Sequence, residues 1–153
     1  MAKNKYDDLL VGYALKEFYG ANYLGDEIMT DKINWFGYGY FKIPYPNVKM
    51  RRELIYLHDL THVITGYGTT FVEAGELAAW EIASGFPSSM WVGYVYPPLA
   101  FIVGFILSPR RVIQAFKKGR GQNNLYKLGL PKEEMVKKTI SELKDLIDFK
   151  EIA

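Results

Sequence analysis

His58 and His62 are the only two histidines of the chain, and they stand four positions apart. On a helix this spacing puts both rings on one face, side by side. Paired imidazoles so arranged grip a first-row metal. Asp59 is turned about 100° from His58 and about 60° from His62 on the 3.6-residue period. It stands where it completes a metal shell or orients an imidazole from behind. Glu73 and Glu76 are spaced i, i+3, so both can face back from a following helix. Two imidazoles and one or two carboxylates leave positions open on Zn, Mn, Co or Fe, which suits catalysis more than a closed structural site.

The surroundings strengthen this reading. Residues 54–81 carry Asp59, Glu73, Glu76 and Glu81 and no lysine or arginine. Buried carboxylates without counter-charges cost several kcal/mol or more each, so a divalent cation is expected as the missing charge. The competing reading is a set of ordinary hydrogen-bonded side chains. Other motifs fit poorly. HDLTH lacks the glutamate that serves as general base in the zinc-protease HExxH pattern. HD-type phosphohydrolases need further histidines, no GxSxG elbow is present, and GYGYF lacks the lysine and spacing of a phosphate loop.

The 153 residues are enough for one domain with a real core, and 49% of them are apolar. The absence of cysteine removes thiolate metal sites, iron–sulfur clusters and disulfides, so any metal must be held by nitrogen and oxygen. The net charge of +2 is unevenly spread: residues 61–109 carry three acids and no base, and residues 110–153 carry eleven bases and six acids. Nucleic-acid binders show a broader basic excess, so no nucleic acid is expected. The N-terminus shows no targeting pattern, which makes the cytoplasm the default location.

The elements that must position these residues are mostly helical. Periodicity predicts a helix from Tyr6 to about Tyr19, stopped by Gly20. Residues 20–47 are broken repeatedly by Gly and Pro and read as packed loops with short helical turns, the aromatic run 35–41 being a possible hairpin strand. A helix follows from about Val48, capped by Asn47, to Thr65 before Gly66, and another from Phe71 to Ser84 before Gly85. This helical hairpin brings residues 58–62 opposite 73–76. From Ile82 to Pro109 no residue is charged. Pro97-Pro98 breaks that stretch into two short buried or membrane-surface helices, the second near Pro98–Leu107, so it is not read as membrane-spanning. LAFIVGFIL either belongs to the core or lines a cavity for a hydrophobic ligand. Arg110, Arg111, Lys117, Lys118 and Arg120 then form a basic run, either a solvated face or a surface for phosphate headgroups. A last helix begins at Pro131, with an apolar stripe through Ile140, Leu143, Leu146 and Ile147.

HDLTHVITGYGTT followed by GELAAWE resembles the coenzyme Q biosynthesis protein 4 family, marked by HDxxH, a glycine-containing turn and a Gly-Glu pair. Gly119-Arg120 in KKGRGQNNLY and the leucine-rich C-terminal helix are similar to the family's tail, so the likeness spans roughly residues 50–150. Thirteen residues separate His62 from Glu76 and ten separate it from Glu73, and the family's spacing falls between. The Gly75-Glu76 pair makes Glu76 the better match, with Glu73 as alternative. The resemblance implies a single all-α domain over residues 1–153, of about six to seven helices. Its central hairpin would carry a divalent metal (Zn, Mn, Co or Fe) on His58, Asp59, His62 and Glu76, which would also be the catalytic residues. It further implies a polyprenyl or quinone-precursor ligand, partner biosynthetic enzymes, and a peripheral place at the inner face of the cell membrane. A homodimer is allowed. The implied activity is oxidative decarboxylation with hydroxylation of a quinone precursor. The alternative is a non-catalytic scaffold that binds the lipid and organises those enzymes.

Overall fold

The structure, a computed structural model, describes residues 4–22, 33–38, 41–46, 49–94 and 96–150. Among these, seven α-helices make up most of the chain, as expected: α1 Val11–Asn22, α2 Lys49–Thr65, α3 Phe71–Ser84, α4 Tyr96–Leu107, α5 Pro109–Gly119, α6 Lys132–Met135 and α7 Ile140–Leu146. The expected cap Asn47 lies outside the described residues. The described residues also include one antiparallel hairpin. Strand β1, Ile33–Tyr38, pairs with β2, Phe41–Pro46, in the register Phe36↔Ile43 and Tyr38↔Phe41. The loops expected there are therefore corrected to the hairpin that the aromatic run also allowed. Proline in β2 is tolerated because a two-stranded sheet consists of edges.

Two further expectations change. The first helix starts at Val11 rather than Tyr6, because the Asn4 side chain accepts from the Tyr6 amide and holds 5–8 in turns. It also runs past Gly20 to Asn22. The C-terminal helix is two pieces. Thr139 begins the second with a capping box in which its side chain and that of Glu142 satisfy each other's backbone amides.

One core joins α1, α2, α7 and the Leu125–Lys127 3₁₀ turn, with Leu60, Val63, Ile140 and Leu143 fully buried. On the other side, α3 packs against both α4 and α5. Glycines permit this closeness. A Cβ on Gly75 would stand 2.5 Å from the Gly104 Cα, so α3 and α4 cross backbone to backbone. A Cβ on Gly119 would stand 2.5 Å from the Trp80 carbonyl oxygen, so α5 ends against α3. Gly104→Val is expected to push α4 away at a cost of about 1–3 kcal/mol, read as a lowered urea midpoint.

Helix α4 is apolar all round yet buries only a narrow stripe. Leu99, Ile102, Phe105 and Leu107 are exposed, and Ile106 is 74 % exposed. Among the described residues no helix is long and apolar enough to cross a membrane. Immediately after α4, helix α5 buries Val112 and Ala115 and leaves Arg110, Arg111, Lys117 and Lys118 exposed.

Candidate functional site

Helix α2 carries His58, Asp59 and His62, and α1 lies against them. Phe18 stacks on the His62 ring at 5.4 Å with 25° between planes. Tyr19 donates its hydroxyl to Asp59 Oδ2 at 3.0 Å. The two imidazoles are brought together as the spacing requires, ring centroids 4.8 Å apart and edge to face. His62 Nδ1 lies 2.9 Å from the Tyr67 carbonyl oxygen, in the turn before α3. An imidazole beside a carbonyl donates, so Nδ1 carries the proton.

His58 has a partner that spacing did not single out. Its Nδ1 lies 3.0 Å from each carboxylate oxygen of Glu81, whose side chain is 0 % exposed. Tyr126 donates its hydroxyl to the same carboxylate. The 3₁₀ turn holds Tyr126 there. Asn124 donates to Ser84 Oγ and the Gly85 carbonyl, and Lys127 to the Ser84 carbonyl, tying the turn to the end of α3. Residues 119–127 thus supply both the Gly119 contact and the tyrosine on Glu81.

The two expected carboxylates are placed elsewhere. Glu76 accepts from Arg111 Nε at 2.9 Å and from Nη2 at 2.6 Å, a bidentate pair that joins α3 to α5. The counter-charge missing from residues 54–81 therefore comes from the basic run of α5. Glu73 accepts from the Thr70 hydroxyl at 2.6 Å and the Thr70 amide at 3.2 Å, closing a capping box at the start of α3. The signal was present in the sequence as Thr70-x-x-Glu73. Among the described residues no three His, Cys, Asp or Glu side chains converge as a metal-binding group. As a test of fit, the imidazoles qualify: each Nδ1 faces an acceptor, which leaves the Nε2 edges for a ligand. Glu76 and Glu73 are occupied by Arg111 and Thr70.

Burial and charge act oppositely on the two rings. For His58 burial favours the neutral form, but the Glu81 charge and hydrogen bond outweigh it and raise the pKa to about 9. For His62 burial, then the His58 charge, lower it to about 4. Burial raises Asp59, with His58 and the Tyr19 hydroxyl opposing. Glu73 is lowered, first by the Thr70 hydroxyl. A folded pKa above the unfolded 6.5 means the His58 contribution is full below pH 6.5 and lost as pH rises through 9. A folded pKa below 6.5 means the His62 contribution is present above pH 6.5 and lost as pH falls to 4. Chelator-treated protein should therefore be most stable near the ordinary histidine pKa. It should lose about 2–3 kcal/mol towards each extreme from these two groups, measured by urea unfolding against pH.

His58 also faces a cavity of about 150 Å³. Helix α2 contributes Arg51, Leu54, Ile55 and His58, which recur on one face, and α4 contributes Pro97 and Ala100, with Tyr126 closing the end. A larger groove of about 670 Å³ runs along another stripe of α2, past Lys49, Arg52, Tyr56 and Lys132 to Leu130 and Met135. It contains neither histidine. Tyr126 lines both. The smaller cavity is the one that reaches the histidine pair: a mostly apolar chamber with one imidazole edge, a guanidinium side chain and a phenol in its walls. In comparisons with known proteins, no family model, no curated protein and no solved structure matches the chain.

Proposed function

We propose that the protein draws a prenylated aromatic or quinone-type lipid from an anionic membrane surface and holds its head group beside His58. One observation carries this reading: α4 belongs to both places. Its outer face exposes Leu99, Ile102, Phe105 and Ile106, and its inner side, through Pro97 and Ala100, walls the cavity that contains His58. Exposed apolar surface of this extent marks a contact with lipid or a partner. The basic face of α5 next to it favours a bilayer carrying anionic headgroups.

The resemblance to the coenzyme Q biosynthesis protein 4 family agrees with this reading and extends it to metal-dependent oxidative decarboxylation and hydroxylation of the head group. In that case His58 and His62 would hold a divalent ion through their Nε2 edges, with Asp59 beside them. Such an ion, when bound, supplies a Lewis acid for a phenolate or carboxylate oxygen. The protein's own groups would do the rest. Tyr126 and the apolar wall exclude water, and Glu81 fixes the His58 ring. The second reading, a non-catalytic scaffold that passes the lipid to partner enzymes, is favoured by the commitment of Glu76 to Arg111.

The test is to fill the chamber. Ala100→Trp should abolish binding of a short-chain prenylated benzoquinone and leave vesicle binding unchanged. Unaltered quinone binding in that variant would overturn the reading. Metal analysis of purified protein before and after His58→Ala, with mass spectrometry of the carried lipid after aerobic incubation, separates the two versions. Metal that depends on His58, with an altered lipid, supports the enzyme. A lipid recovered unchanged supports the scaffold.

A further inference from the structure

Spacing offers Glu73 and Glu76 as the carboxylates that work with the histidine pair, yet each is committed elsewhere, to the Thr70 cap and to Arg111. Glu81 is the carboxylate that α3 brings to the site. Five positions from Glu76, it leaves the helix about 140° away, so one side chain meets α5 and the other meets α2. It is fully buried, touches His58 Nδ1 with both oxygens, and accepts the Tyr126 hydroxyl on Oε1. A buried carboxylate with two directional donors has little freedom to turn, and the ring it holds has little more. We infer that Glu81 is the positioning residue of the site: by fixing the Nδ1 edge of His58 it turns the Nε2 edge to the α2–α4 cavity, where, with no ion bound, it anchors an oxygen of the ligand head group.

Three observations agree. His58 lies in the cavity wall with 29 % of its side chain still exposed, and among the described residues its Nε2 has no protein partner. Tyr126, the other donor to Glu81, lines the same cavity. The other walls are apolar at Leu54, Ile55, Pro97 and Ala100 and carry the Arg51 side chain as well, which suits a flat ring bearing one or two oxygens. The chemical class is therefore a ring bearing a carbonyl or phenol oxygen, not a bare alkyl chain.

This inference rests on the lipid reading above, and its test separates the two. Binding of a short-chain prenylated benzoquinone is measured by calorimetry for wild type, Glu81→Gln, Glu81→Asp, Tyr126→Phe and Glu76→Gln, with folding checked by far-ultraviolet circular dichroism. Glu81→Gln keeps the shape but replaces a carboxylate that holds His58 Nδ1 with both oxygens by an amide that accepts through one, and should weaken binding about tenfold. Glu81→Asp should recover part of the loss, and Glu76→Gln should stay within about twofold of wild type. Nitrogen-15 NMR of the imidazoles supplies a readout that packing alone does not move. The His58 Nδ1–H resonance should be displaced in Glu81→Gln and unchanged in Glu76→Gln. Equal losses in both variants, or an unmoved His58 resonance in Glu81→Gln, would overturn the assignment. Wild type that ignores the quinone would overturn the lipid reading and with it the anchor, while the His58 resonance still decides whether Glu81 holds the ring.

Discussion

Glu81→Ala is expected to destabilise the protein by about 3–5 kcal/mol, the largest effect of any single polar substitution in the site. The cost has two parts. Glu81 is 0 % exposed, so its removal leaves a small void beside α2 and takes the counter-charge from His58. It also removes the carboxylate acceptor of the buried Tyr126 hydroxyl. Breaking one side of a buried pair costs more than the pair is worth, because the charge left behind must be neutralised or hydrated. His58 answers by giving up its proton, so its pKa should fall from about 9 towards or below the ordinary value. Urea unfolding at neutral pH, with the His58 titration followed by NMR, reads both effects. A loss under about 1 kcal/mol would show that the Glu81 pair contributes little. Glu76→Ala is expected to cost less, about 1 kcal/mol, because its partner Arg111 is 52 % exposed and water takes over the guanidinium.

The second large effect is expected at the membrane. Arg110, Lys117 and Lys118 are exposed on α5, directly after the apolar helix α4. Each cation near an anionic surface contributes roughly 1 kcal/mol, so replacing the three by glutamate should weaken binding to phosphatidylglycerol vesicles by at least about a hundredfold. Arg111 is left in place because it neutralises Glu76. Wild-type binding should fall as salt rises from low to physiological ionic strength, while the apolar part persists. Ile106→Asp should weaken binding to vesicles of any charge, because the side chain it replaces is 74 % exposed on α4. Vesicle sedimentation measures all three. Triple-variant binding equal to wild type would remove the electrostatic half of the membrane reading.

Much of the frame was legible in the chain. The third helix begins at Phe71 and ends at Ser84 where Thr70, Gly85 and Pro87 mark it. The pairing of His58 with His62 follows from a period that any regular helix imposes. The turn before α3 was also legible, because Thr70-x-x-Glu73 is a capping box that commits Glu73 to the start of the helix. The break at Thr139 carried the same signal with Glu142. What spacing does not contain is the rotation of α3 about its own axis. That is set by Gly75 meeting Gly104 and Gly119 meeting the Trp80 carbonyl, contacts between segments far apart in sequence. The rotation turns Glu76 to Arg111 and Glu81 to His58. It also explains why the stretch without bases has no need of an outside cation at Glu76. The Tyr126 contact is equally long-range, 45 residues from its carboxylate, and depends on Asn124 hooking the 3₁₀ turn to α3.

The proposed function requires the chamber between α2 and α4 to receive the head group of a lipid beside His58. The most direct measurement is nitrogen-15 and carbon-13 NMR of the His58 ring in bicelles, as a short-chain prenylated benzoquinone is added. The expected result is a saturable shift of His58 and of the Tyr126 ring that Ala100→Trp abolishes, with the Tyr56 and Met135 signals of the larger groove unmoved. A shift confined to Tyr56 and Met135, or none at His58 at saturating quinone, would contradict it.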